Sequence, residues 1–110
     1  MIGVTVVAEG NWPSFRGEQA AGVGDGPDLP EIMDGESGKG LLYKVRVPGL
    51  AHSSPIVWQD RLFLTTAVSK DADASFKPGL YGSGDASKDR SVHQWKILCL
   101  NKNDGELLWE

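Results

Sequence analysis

Apolar and polar residues alternate with a period of two along most of the second half of the chain, and no stretch sustains the 3.6-residue period of an amphipathic helix. From Leu41 to Val47, Tyr43, Val45 and Val47 fall on one face, and Lys44 and Arg46 on the other. This predicts a half-buried strand ended by Pro48-Gly49. Ser53–Trp58 and Arg61–Val68 flank a two-residue connection, Gln59-Asp60, the length that calls for a primed hairpin turn. Leu62, Leu64 and Thr66 oppose Phe63 and Thr65, so both faces of that second strand carry apolar weight, as in a sheet sandwiched between two layers. Val92–Leu100 resumes the alternation, with Trp95, Ile97 and Cys99 on one face. The chain then closes as strand, tight turn, strand from Cys99 to Trp109.

Two regions lack the pattern. Residues 9–40 are rich in turn formers, with Gly10-Asn11-Trp12-Pro13, Gly22, Gly24, Pro27 and Pro30. They predict an extended, irregular segment anchored by Trp12 and Phe15 rather than by a ladder. Residues 69–91 are polar and of mixed charge, an insertion long enough to suggest a functional loop. Phe76, Leu80 and Tyr81 are the apolar groups it offers to a partner. The expected class is all-β.

Composition adds exclusions. A net charge of −4, with Lys and Arg scattered singly, argues against nucleic acid as a partner, because phosphate neutralisation needs a basic face. Cys99 is the single cysteine, which rules out an internal disulfide framework and a cysteine-based metal site. Residues 1–8 are apolar, with Val6-Val7-Ala8 placed like a cleavage site. They read as the remnant of a signal peptide, or else as a short first strand or unstructured stub. Eight residues cannot cross a bilayer, which takes about 20, so the chain does not read as an integral membrane protein.

The closing motif is the most specific feature. Asn103, Asp104 and Gly105 supply turn chemistry, since Asx residues tolerate left-handed dihedrals and glycine has no Cβ to clash there. The spacing resembles the tryptophan-docking repeat A-x-D-x-x-T-G-x-x-x-W of the PQQ-like (pyrroloquinoline-quinone) β-propellers. Cys99 takes the small position, Asn101 the Asp, Asp104 the Thr, Gly105 the Gly and Trp109 the Trp. Asp34, Ser37, Gly38 and Tyr43 echo this series, with one extra residue before the aromatic. Asn11–Gly17 and Gly49–Val57 are similar to entry segments of secreted members. Lys77–Gly82 with Ser91–Lys96 is similar to a bacterial subgroup.

The resemblance implies a propeller of four-stranded antiparallel blades, of which this chain holds about one to two. Leu41–Val47 would be the outer strand of one blade and Ser53–Trp109 the next blade, its insertion at 69–91. A lone blade cannot bury its faces, and the chain stops one residue after the docking tryptophan, so it reads as the N-terminal part of a longer protein. Extracytoplasmic location follows from the resemblance and the apolar start. The implied role is a non-catalytic scaffold or protein-interaction module. The alternative is a PQQ- and calcium-dependent quinoprotein dehydrogenase whose active-site residues lie beyond residue 110, because Cys99 has no neighbouring cysteine and no axial Asp motif is present.

Other chemistry is thinly represented. Asp71, Asp73, Asp85 and Asp89 give the insertion oxygen ligands but not the spacing of a calcium loop. His52 stands beside Ser53-Ser54, yet strand neighbours point to opposite faces and no nucleophile elbow surrounds either serine. Trp58 and Trp95 read as core aromatics of their strands.

Overall fold

The computed structural model describes residues 10–24, 29–71 and 89–110. Their regular structure is mostly strand, one four-stranded antiparallel sheet with a single helical turn, Glu18–Ala20. The strands β1 (Ile56–Trp58), β2 (Arg61–Ser69), β3 (His93–Asn101) and β4 (Leu107–Trp109) lie side by side in chain order. This up-and-down order needs only hairpin connections.

The β1–β2 turn forms at Gln59-Asp60, with Trp58 opposite Arg61. Gln59 takes a φ of 54°, the sign that a primed turn requires at its first central residue. Its amide donates to Asn11 Oδ1 at 2.6 Å, tying the irregular N-terminal segment to the turn. β2 and β3 pair in register from Arg61 opposite Asn101 to Ser69 opposite His93. β4 joins β3 through Leu107 opposite Leu100 and Trp109 opposite Cys99, with a bulge between the two pairs.

One face of the sheet is covered. Leu64, Leu98 and Leu100 are buried there, with Val47 and Leu62 packed against them. Thr66 is buried among them, and its hydroxyl donates to the Pro48 carbonyl at 2.6 Å, which satisfies a polar group that burial would otherwise strand. Gly49 then turns the chain with a φ of 77°, and any Cβ there would collide with the Ala67 carbonyl. Leu50 reaches the β2 edge as a result and exchanges backbone bonds of 2.9 and 3.2 Å with Ala67.

Three expectations need correction. Leu41–Val47 keeps its alternation, with Tyr43 and Val47 half-buried and Lys44 and Arg46 exposed, but it joins no ladder. Its side chains are held by the sheet face and not by a backbone partner. Trp12 does make ladder bonds, exchanging hydrogen bonds of 2.8 and 2.9 Å with Val57 at the outer edge of β1. Phe15 anchors nothing of comparable size, since it stays exposed. The first hairpin strand begins at Ile56 and not at Ser53, because Ser53 Oγ replaces the main chain there. It accepts from the Thr65 amide at 3.1 Å and donates to the Thr65 carbonyl at 2.9 Å.

Candidate functional site

The turn that ends β3 is built from the motif residues. The Asn101 amide donates to the Glu106 carbonyl at 2.8 Å, and the Gly105 amide returns to the Asn101 carbonyl at 2.9 Å. Asn101 Oδ1 accepts from the Asn103 amide, and Asp104 Oδ1 accepts from the Glu106 amide, each at 2.9 Å. Both side chains thus cap the turn they sit in. Gly105 has a φ of 77°, and a Cβ there would lie 2.6 Å from the Tyr43 ring and inside the van der Waals reach of Val45. The Tyr43 hydroxyl donates to the Lys102 carbonyl at 2.8 Å, so the 41–47 segment is clamped onto this turn. Burial, with the Asp104 carboxylate nearby, pushes the Tyr43 phenol above its ordinary value.

The same turn occurs earlier in the chain. The Asp34 amide donates to the Lys39 carbonyl at 2.9 Å, and the Gly38 amide donates to the Asp34 carbonyl at 3.0 Å. The Glu36 amide donates to Asp34 Oδ1 at 3.0 Å. Gly38 also has a φ of 77°. Asp34, Glu36, Gly38 and Lys39 therefore repeat the bonding of Asn101, Asn103, Gly105 and Glu106, offset for offset. The Ser37 hydroxyl on Asp34, helped by the Glu36 amide, lowers the Asp34 carboxyl.

The second face of the sheet is open and aromatic. The pleat places Trp58, Phe63, Trp95, Ile97, Cys99 and Trp109 on it. Phe63 and Trp109 are the two cross-strand neighbours of Cys99, and their rings meet with centroids 6.1 Å apart at 52°. Cys99 is fully buried between them. Beyond that cluster the face is bare: Trp95 is 84 % exposed, and Trp58 and Trp109 are each 51 % exposed. The expectation that Trp58 and Trp95 lie in the core is therefore not met within the described residues. A shallow depression of about 310 Å³ lies beside them, lined by Ser53, Ile56, Phe63, Thr65 and Ile97 among others.

A polar cluster closes the far end of the β2–β3 pair, where the insertion leaves and returns. Asp89 Oδ2 accepts from the Ser69 hydroxyl and pairs with His93 Nε2 at 3.1 Å, while Oδ1 accepts from the Ser91 amide at 2.8 Å. His93 Nδ1 lies 2.9 Å from the Ser91 carbonyl. The Ser69 hydroxyl, then Ser91, hold the Asp89 carboxyl down at about 2. The two imidazole nitrogens are directed at the Asp89 carboxylate and the Ser91 carbonyl rather than at the Ser69 or Ser91 hydroxyl, so the cluster does not have the geometry of a serine nucleophile hydrogen-bonded to its base. In the sequence Asp89 reads only as one of the insertion's acidic residues. The signal that joins it to His93 is the β2–β3 register, which sets Ser69 opposite His93.

The remaining expected features fall elsewhere. Phe76, Leu80 and Tyr81 lie outside the described residues. Among the described residues, no three His, Cys, Asp or Glu side chains stand close enough to share a metal ion. A quinone bearing carboxylates needs cationic partners, and Arg61, the arginine on the aromatic face, is already paired with Asp60 at 2.8 Å. The described residues therefore do not fit PQQ. No helix among them is long and apolar enough to cross a membrane. Comparison with protein-family models, curated proteins and solved structures gave no significant match.

Proposed function

We propose that this chain is a repeat unit of a PQQ-like β-propeller and serves as a non-catalytic, extracytoplasmic scaffold for other proteins. The observation that carries the reading is the duplicated turn. Asp34–Lys39 and Asn101–Glu106 share a backbone closure, an Asx side-chain bond and a glycine φ of 77°. We read a turn repeated with that fidelity as a sign of a unit used more than once in the chain.

Packing supports the same reading. The aromatic that follows the first turn, Tyr43, lies on the glycine of the second turn. By the same arrangement Trp109, the aromatic that follows the second turn, would rest on the glycine of a further copy. The four-stranded meander carries apolar side chains on both faces, one covered by the preceding segment and one left open. Such a sheet is completed by neighbours on both sides, as in stacked repeat folds.

The test is to purify the protein in its natural full-length form and record its absorbance and dye-linked oxidation of alcohols and sugars. A scaffold shows neither a quinone chromophore nor turnover and retains associated protein through purification. A bound quinone with turnover would establish the dehydrogenase alternative instead.

A further inference from the structure

We propose that His93 is a proton-operated clasp on the far end of the β2–β3 pair: its imidazolium fastens the two strand ends together, and loss of a proton as pH rises frees the start of β3. Nε2 lies 3.1 Å from Asp89 Oδ2, and Nδ1 lies 2.9 Å from the Ser91 carbonyl oxygen. A carboxylate and a carbonyl can only accept, so each contact calls for an N–H on the ring. A neutral imidazole has one N–H and one bare lone pair, whereas the imidazolium has two N–H groups. The site is thus built for the cation. Turning the ring over offers no escape, because it exchanges both nitrogens for carbons.

The cluster ties strand end to strand end. Asp89 Oδ2 also accepts from the Ser69 hydroxyl at the end of β2, and Oδ1 accepts from the Ser91 amide just before β3. Ser69 Oγ lies 2.6 Å from Ser91 Oγ and accepts from the Asp71 amide at 2.9 Å. Beside them the Lys70 amide donates to the Val92 carbonyl at 3.0 Å. The Asp89 side chain is 5 % exposed and that of His93 28 %, so salt and solvent screen this pair less than a surface pair. Among the described residues, Asp89 is the charged group that pairs with the ring. Across the ladder β2 presents Ser69 and, diagonally, Ala67, and β3 presents Trp95 on the same face. Lys70, Asp71 and Arg90 are the charged residues next along the chain. None is of a type that changes charge between about pH 5 and 8, as histidine does.

The two acceptors set the sign. When the ring loses one proton, the charged carboxylate keeps the other, being the stronger acceptor. Nδ1 then turns a lone pair on the Ser91 carbonyl oxygen, and that contact opens. The clasp is complete below the ordinary imidazole range, near about 6.5, and is lost as pH rises through it. On the acid side it is bounded by the Asp89 carboxyl, which Ser69 and Ser91 hold at about 2. The strand end is therefore fastened in mildly acidic solution and loosened in mildly alkaline solution. Leu64, Leu98 and Leu100 pack the covered face further along the strands, so the opening stays local.

The experiment is amide hydrogen exchange followed by NMR on the full chain between about pH 5 and about pH 8, each rate divided by that of an open amide at the same pH. Protection of the Lys70 and Ser91 amides should fall at least about threefold over that range, the loss of one partly screened ion pair. The Asn101 amide, at the other end of β3, should keep its protection. In His93→Gln the pH dependence at Lys70 and Ser91 should vanish. Nitrogen shifts of the ring in the parent should report two N–H groups at the acid end and one, on Nε2, at the alkaline end. Constant protection at Lys70 and Ser91, a His93→Gln variant as pH-dependent as the parent, or an equal loss at Asn101 would each overturn the proposal. Should His93→Gln fail to fold, the parent's nitrogen shifts decide: a ring that titrates without any change in Lys70 protection, or that keeps its last proton on Nδ1, overturns it.

Discussion

Replacing Gly105 by alanine attacks the joint between the closing turn and the segment that covers the sheet. Two costs add. Alanine at a φ of 77° carries a backbone penalty of about 1–2 kcal/mol, which glycine avoids. The new methyl would sit 2.6 Å from the Tyr43 ring and against Val45, so both side chains must shift, an overpacking cost of about 1–3 kcal/mol. The sum, about 2–5 kcal/mol, is a large share of the stability of a small domain, which runs to roughly 5–15 kcal/mol. In thermal unfolding followed by circular dichroism it should lower Tm by about 8 °C or more, at about 4–8 °C per kcal/mol for a domain of this size. The cycle with Val45→Ala separates the two costs. Val45 is partly exposed, so trimming it is mild alone, and in the Gly105→Ala background it should restore part of the loss. What remains is the backbone strain. A Gly105→Ala variant within about 0.5 kcal/mol of the parent would refute both the left-handed turn and its close contact with Tyr43.

Further outcomes follow from neighbouring features. The Asp89 carboxyl, held at about 2 by Ser69 and Ser91, contributes stability that is present above its unfolded value of 3.8 and lost as pH falls toward 2. Asp89→Asn should therefore melt lower than the parent at pH 6 and converge with it toward pH 2; a constant gap over that range would contradict the assignment. Cys99, fully buried between Phe63 and Trp109, should react with a thiol reagent only at the rate of local opening, and Cys99→Ser should cost about 1–3 kcal/mol for a buried hydroxyl without a partner. Tyr43→Phe removes the bond to Lys102 and should cost about 0.5–1.5 kcal/mol in urea unfolding. In the parent, ultraviolet titration should find this phenol ionising above 10.0, with the stability it contributes present below that pH and lost as pH rises through the folded value.

Local chemistry was legible in the sequence. The β1–β2 hairpin follows from period-two alternation around a two-residue connection, and the closing turn from Asx residues placed before a glycine. Those signals act over a few residues and need no tertiary context. The echo of Asp34, Ser37 and Gly38 with Asn101, Asp104 and Gly105 was also visible, although only coordinates could show that the hydrogen bonds repeat with it. What escaped was tertiary. Alternation in Leu41–Val47 reports which side chains are buried, not whether the backbone finds a strand partner. Parity puts Trp58, Trp95 and Trp109 on one face, but nothing in parity tells which face the chain itself covers. The Ser69–Asp89–Ser91–His93 cluster joins residues across an insertion, and only the register of β2 on β3 brings them together.

The central claim is that the aromatic face is built to receive another sheet, that of a neighbouring repeat. The most direct measurement is a crystal structure of the protein in its natural assembled form. The account requires a second β-sheet about 10 Å above Trp58, Trp95 and Trp109, the ordinary spacing of packed sheets. Those three tryptophans facing bulk solvent in the assembled protein would contradict it.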